Sequence, residues 1–240
     1  MGVLGLLALA LAPGTAIMFY IYLKDQHERE PLRLLLISFL YGVVSTFITL
    51  SVSRPIELFL YTKEDDVISQ FVNAFFKVAL VEEFSKYAFV RFILYRNKNF
   101  NEPFDGIVYA VMVSMGFATL ENILYVFEYG TYTGILRMFT AVPAHATFGI
   151  LMGYFLGLAK FSLNRSFLYS LIALAVPTAF HGAYDYFWFI AEIEGVYTGI
   201  WVCAIISLFV AFVLSRKAIR LHQQASPFIR QEKEIEDRGM

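Results

Sequence analysis

The sequence predicts an all-α fold, a polytopic membrane helix bundle of about seven transmembrane helices with the N-terminus outside and the C-terminus cytoplasmic. Three observations predict it. Of the 240 residues, 58% are hydrophobic and 16% are charged, whereas soluble domains carry about 25% charged residues. Apolar runs of about 20 residues recur along the chain, each long enough as a helix to cross a hydrocarbon core of roughly 30 Å. Finally, the cationic residues alternate loop by loop. Fourteen Lys and Arg fall on one side of the expected membrane and three (Arg54, Lys63 and Arg137) on the other, which fixes the expected orientation.

Hydropathy read against the charge clusters gives spans at roughly 3–23, 34–53, 70–94, 104–127, 134–158, 166–190 and 196–214. No Lys or Arg precedes the first apolar run and no good cleavage site follows it, so it reads as a retained helix rather than a signal peptide. The loop 24–33 carries Lys24, Arg29 and Arg33 and marks a cytoplasmic turn. Short loops and the absence of a convincing repeat suggest one transmembrane domain over 1–215, with a charged cytoplasmic tail over 216–240. In span five Gly149, Gly153 and Gly157 recur every four residues, a smooth stripe suited to close helix packing. Tyr20, Tyr22, Tyr61, Trp188 and Trp201 stand near span ends as interfacial anchors or packing residues. Lys77 is expected to snorkel from span three. The single cysteine, Cys203, can form no intrachain disulfide. A net charge of −1 with no basic stripe excludes nucleic acid as a partner.

Span three contains VEEFSKYAFV, residues 81–90. Three central charges, Glu82, Glu83 and Lys86, cost about 7–10 kcal/mol on insertion scales, while the thirteen Leu, Ile, Val and Phe residues of 70–94 return only about 4–8. The helix therefore needs partners within a bundle. Glu82 and Lys86 share one face and can pair, which leaves Glu83 unexplained. Other spans offer candidates: Glu121 in FATLEN, His145 in PAHATFG, and His181 with Asp185 in FHGAYD, at i,i+4 on one face. Expected depths lie roughly 8–18 Å below the outer surface for all of them, so the group is expected to form one cluster opening outward. Each residue alone has a structural reading: an ion pair for Glu82 and Lys86, a satisfied bundle histidine for His145, a local hydrogen bond for His181 and Asp185. Their joint occurrence at one depth favours function, because intramembrane ionisable residues mark functional sites. Histidines with several carboxylates suit a metal site or a water-activating site.

The set Glu82-Glu83-x-x-Lys86, Phe117-x-x-x-Glu121 and His181-x-x-x-Asp185 resembles the signature of the PrsW family of bacterial intramembrane proteases. APGTAIMFYIYLKDQ near the N-terminus, DGIVYA at 105–110, GFATLENILY at 116–125 and PTAFHGAYD at 177–185 extend the resemblance over about residues 10–190. The family is also distantly similar to the CAAX-processing endopeptidases, which share a Glu-Glu motif followed by a basic residue. The resemblance implies a multi-pass endopeptidase of the bacterial cytoplasmic membrane. It would be a site-1 protease that cuts a single-pass anti-sigma factor on the extracytoplasmic side, starting the release of a sigma factor in an envelope-stress response.

Two chemistries are open at this stage. In the first, His145, His181 and a carboxylate (Glu121 or Asp185) hold a zinc-like ion with one free position, and Glu82 or Glu83 takes the proton. In the second, Glu82 activates water without a metal, a histidine stabilises the oxyanion, Lys86 keeps the glutamates ionised and Asp185 orients His181. A proton- or ion-coupled transporter is the alternative from another class. It calls for inverted repeats and a broken helix, neither of which is apparent in the sequence.

Overall fold

The computed structural model describes residues 2–60 and 62–229, so Tyr61 and the tail cations Arg230, Lys233 and Arg238 lie outside the described residues. The backbone is helical with no strand among the described residues. Helix α1 spans Val3–Lys24 and α2 Leu32–Phe59. Next comes a continuous helical rod in three parts: α3 (Val67–Val72), a π-helical segment (Asn73–Ala79) and α4 (Leu80–Phe92). Four long helices complete the chain: α5 (Pro103–Phe139), α6 (Ala141–Phe161), α7 (Ser166–Ala191) and α8 (Trp201–Gln224).

Five stretches are long and apolar enough to cross a bilayer: α1, α2, the joined stretch Pro103–Phe161, α7 and α8. The joined stretch holds α5 and α6, which fold back on each other, since Gly106 meets Gly153 while Ser114 meets His145 and Gly149. The Val67–Phe92 rod carries Glu82, Glu83 and Lys86 and is not among the five. Residues 216–224 continue α8, where Ile219 and His222 are buried. Large apolar side chains such as Phe47, Leu36, Phe167 and Phe209 face outward. This outer surface suits lipid, where helices are viable because they bond their backbone groups within the segment.

Helix α5 is the axis of the bundle. Pro103 stands at its first position, where a missing N–H costs nothing. The Asp105 carboxylate accepts the N–H groups of Asn101 and Glu102 at 2.8 Å and closes that end. From Phe104 to Thr119 every residue of α5 is buried. Such enclosure requires close neighbours, and glycine supplies the room. A Cβ at Gly153 would stand 2.2 Å from the Gly106 carbonyl oxygen, and one at Gly42 would stand 1.9 Å from that of Val113. The glycine stripe of span five therefore packs as the sequence suggests.

Two departures from regularity set up the site. Gly130 has φ 82°, a backbone conformation that favours glycine. It breaks α5 and turns the segment 131–139 back, so that α6 begins only at Ala141, just before His145. The expected span start at 134 missed this return because hydropathy does not register the backbone reversal at Gly130. The second departure is the π-helical segment, a form that is rare and concentrated at functional sites, immediately ahead of Glu82 and Glu83.

Candidate active site

Glu82, Glu83 and Lys86 project from α4 into the space between α5, α6 and α7 and are buried. Lys86 Nζ donates to Glu83 Oε1 at 2.6 Å, stands 3.8 Å from Glu82 Oε2, and lies 4.3 Å from the centre of the Phe117 ring. It also approaches His145 Nδ1 at 3.3 Å. An ammonium can only donate, so Nδ1 accepts and the Nε2–H of His145 donates to Glu121 Oε2, 2.9 Å away. His145 is further fixed through its backbone, whose carbonyl accepts from Ser114 Oγ at 2.7 Å.

His181, on α7, has carboxylates on both ring nitrogens. Nδ1 stands 2.9 Å from Glu83 Oε1 and Nε2 stands 3.2 Å from Asp185 Oδ2, with Glu82 Oε2 3.9 Å from Nε2. The ring stacks on Phe148, with centroids 5.0 Å apart. The residues expected from sequence therefore meet in one cluster: Glu82, Glu83, Lys86, Glu121, His145, His181 and Asp185. The structure also separates the two glutamates. Glu82 lines the cavity, while Glu83 is fully enclosed and engaged by Lys86 and His181.

That cavity, about 470 Å³, is walled by Glu82, Glu121, His145, His181 and Asp185, with Phe148, Tyr184 and Trp188 supplying apolar surface. Lys77, expected to snorkel, is buried, and its Nζ reaches the connection between α2 and α3, where it donates to Thr62 Oγ1 at 3.0 Å.

One member of the cluster escaped the sequence reading. Arg137 counts there as an outer-loop charge, yet the turn at Gly130 brings it back onto α5. Its Nη2 donates to Glu121 Oε2 at 2.6 Å and its Nε to Asn122 Oδ1 at 3.1 Å, with the guanidinium 4.0 Å from the centre of the Tyr125 ring. The signal available in the sequence is a lone arginine in an apolar stretch shortly after YGTYTG, residues 129–134.

Glu82, His145 and His181 each offer a ligand atom within 4.8 Å of the others, the group among the described residues that could hold a metal ion. Two imidazoles and one carboxylate match a catalytic zinc donor set with one position free. Two further observations fit a divalent cation. Glu82 Oε2 is buried without a hydrogen-bond partner, and such an acceptor is costly unless something positive approaches it. Four carboxyl groups, Glu82, Glu83, Glu121 and Asp185, crowd beside only two Lys or Arg side chains, Lys86 and Arg137, among the described residues, a donor-rich setting. Of the residues expected as ligands, Glu121 accepts from the Nε2–H of His145 in the manner of a carboxylate that orients a metal-bound imidazole. Asp185 instead stands on the Nε2 of His181 that also faces Glu82, the other nitrogen of that ring being held by Glu83.

Comparison with known proteins agrees with this chemistry. Residues 30–215 match the model of a family described as "PrsW family intramembrane metalloprotease". The chain is 41% identical over 202 residues to Protease PrsW of Geobacillus kaustophilus, covering 83% of this chain and 87% of that protein. It is 38% identical over 184 residues to Protease PrsW of Bacillus subtilis (75% and 81%) and 35% identical over 190 residues to that of Clostridioides difficile (76% and 79%). No solved structure matches. Bacterial relatives and several apolar helices place the protein in the cell membrane as a multi-pass enzyme. A match over most of the chain makes it a member of the PrsW family of intramembrane metalloproteases.

Proposed function

We propose that the protein is a site-1 protease that cuts a single-pass anti-sigma factor near the extracytoplasmic face of the membrane. The bundle then crosses seven times, α5 and α6 separately and the Val67–Phe92 rod as the third crossing, with the N-terminus outside. The observation that carries the reading is the convergence of Glu82, His145 and His181 on a cavity whose rim, at Thr133, Arg137 and Trp188, lies at the end opposite Lys24 and Lys160. Under the cation count that end is extracytoplasmic.

In this reading Glu82, His145 and His181 hold a divalent ion, with zinc the first candidate. When bound, such an ion lowers the pKa of water and polarises the scissile carbonyl. Glu121 accepts from His145 Nε2–H, so Nδ1 is the nitrogen this ring would offer the ion, in place of its contact with Lys86, whose ammonium stays on Glu83. Arg137 holds Glu121 in place. Glu83, neutralised by Lys86, fixes the His181 ring through Nδ1. Phe148, Tyr184 and Trp188 seat the peptide and limit bulk water around it. Asp185 lines the cavity without an Arg or Lys partner among the described residues. It takes the proton from the attacking water and returns it to the leaving amine.

Co-expression with a single-pass anti-sigma factor tests the assignment. The expected result is an extracytoplasmic cut that Glu82→Gln and Asp185→Asn both abolish, with bound metal lost in the first and kept in the second. Metal retained in Glu82→Gln would make Glu82 the base instead. An intact substrate beside the wild-type enzyme would remove the anti-sigma assignment, and cleavage by metal-stripped enzyme would remove the metal. The transporter alternative is not favoured. The helix break at Gly130 satisfies one of its requirements, but the family match is to proteases.

A further inference from the structure

Helix α2 is apolar along most of its length, yet Thr46, Thr49, Ser53 and Glu57 recur at intervals of three and four residues and so share a face. Burial increases along that row. Glu57 is exposed and Ser53 half-buried, while Thr49 and Thr46 are buried. The row does not face lipid. It lines a second cavity of about 280 Å³ between α2, the π-helical segment and α5, whose other polar walls are Asn73, Lys77, Glu82 and Glu121. At its inner end Thr49 Oγ1 and Ser85 Oγ are 2.8 Å apart, and Ser85 Oγ donates to the backbone carbonyl of Glu82 at 2.8 Å.

Val78, Glu82, Glu121 and Tyr125 line both this cavity and the larger one. Glu82 therefore stands in the wall between them, and its Oε2 is buried without a hydrogen-bond partner among the described residues. Each lining mixes polar and apolar groups, in different arrangements. The larger space sets Phe148, Tyr184, Trp188 and Phe189, surface suited to an apolar peptide, beside the charged cluster. The smaller has Leu50, Val78, Phe117 and Leu124 in its walls and, along one side, a row of hydroxyl, amide, ammonium and carboxylate groups leading from the exposed end of α2 to Glu82.

A hydrolase enclosed in hydrocarbon needs a route for its second substrate. Hydroxyl and amide side chains inside a membrane are costly unless they line protein or water, and a cavity of this size with such a row along one side has room for several waters at about 30 Å³ each. We infer that the smaller cavity is the water route to Glu82, separate from the larger cavity that receives the peptide. This rests on the proposed hydrolysis at Glu82. The two routes let the peptide fill the larger space without cutting off the nucleophile.

Two measurements test it. In a Cys203→Ala background, Ser53→Cys should react with a charged, membrane-impermeant thiol reagent. Phe47→Cys, on the outward face of α2, should not, because the reaction requires hydrated thiolate. The reading needs no cleavage, so it can be repeated on Glu82→Gln. Second, Ser53→Leu should plug the row and lower kcat about tenfold with KM unchanged, while Ser53→Thr restores the wild-type rate. A Ser53→Cys thiol no more reactive than that of Phe47→Cys would overturn the water route. So would a Ser53→Leu enzyme whose KM rises at constant kcat, which would make the row part of the peptide path. If instead Ser53→Cys reacts while Glu82→Gln cleaves normally, the hydrated route stands and the hydrolytic role of Glu82 fails.

Discussion

The molecule buries ionisable groups at both ends, and the two clusters are built differently. Asp105 and Glu121, one from each, are sixteen residues apart on α5, about 24 Å along the axis. At the Glu121 end, carboxylates alternate with Lys86, Arg137 and two imidazoles around an open cavity. At the Asp105 end, Asp25, Glu30, Glu102 and Asp105 are buried as carboxyl groups. Tyr109 donates to Glu30, and Asp25 accepts the Glu30 N–H at 3.0 Å. Burial pushes Asp25 up to about 6 and raises Glu30 as well. Groups that burial drives toward neutrality tie the α1–α2 loop to the bundle. A cluster that keeps cations among its carboxylates and opens to a cavity is arranged for chemistry. Burial of charge alone does not distinguish a site from a fastening; the counter-charges and the opening do.

The largest effects should separate the two ends. His145→Ala or His181→Ala removes a donor that nothing else replaces, and substrate cleavage should fall about 10³-fold with loss of bound metal. Asp25→Asn and Glu30→Gln should leave cleavage within about twofold of wild type, well inside the ordinary spread of surface and structural substitutions. Comparable losses at both ends would break the distinction.

Arg137 gives an intermediate test. It acts through Glu121, so Arg137→Ala should weaken metal binding about 10- to 100-fold, as removal of an orienting partner does. Arg137→Lys should recover part of that affinity, since it restores charge without the second donor to Asn122. Unchanged metal affinity in Arg137→Ala would mean that Glu121 needs no support.

The smallest effect concerns pH. The folded-state pKa of Asp25 lies above its ordinary 3.8, so the folded state binds this proton more tightly than the unfolded state does. Its stabilising share is complete below about pH 4 and is lost as pH rises toward 6. Asparagine keeps the acceptor for the Glu30 N–H and carries no charge. The thermal midpoint of Asp25→Asn should therefore exceed that of wild type at pH 8 and approach it at pH 4.5. The reverse order would show that the carboxylate is stabilised by a cation.

Much of this was legible in the sequence, for physical reasons that can be named. The lipid phase makes apolar length an obligatory signal, so α1, α2, α7 and α8 stand out as spans. The same penalty makes Glu82, Glu83, Lys86, His145 and His181 conspicuous, and depth alone brings them together. What hydropathy cannot register is backbone geometry. The positive φ at Gly130 returns Arg137 to the site, and the π-helical segment precedes Glu82; neither changes the apolar count. The separate surroundings of Glu82 and Glu83 were likewise out of reach, since neighbours on one helix turn look alike until the opposing helices are placed.

The most direct test of the hydrolytic site is single-turnover cleavage of a membrane-embedded single-pass substrate by purified Glu82→Gln, compared with wild type of equal thermal midpoint. Cleavage by the variant should be slower by about 10³-fold or more. Cleavage at the wild-type rate would contradict the assignment of Glu82, and with it the hydrolytic site built around Glu82, His145 and His181.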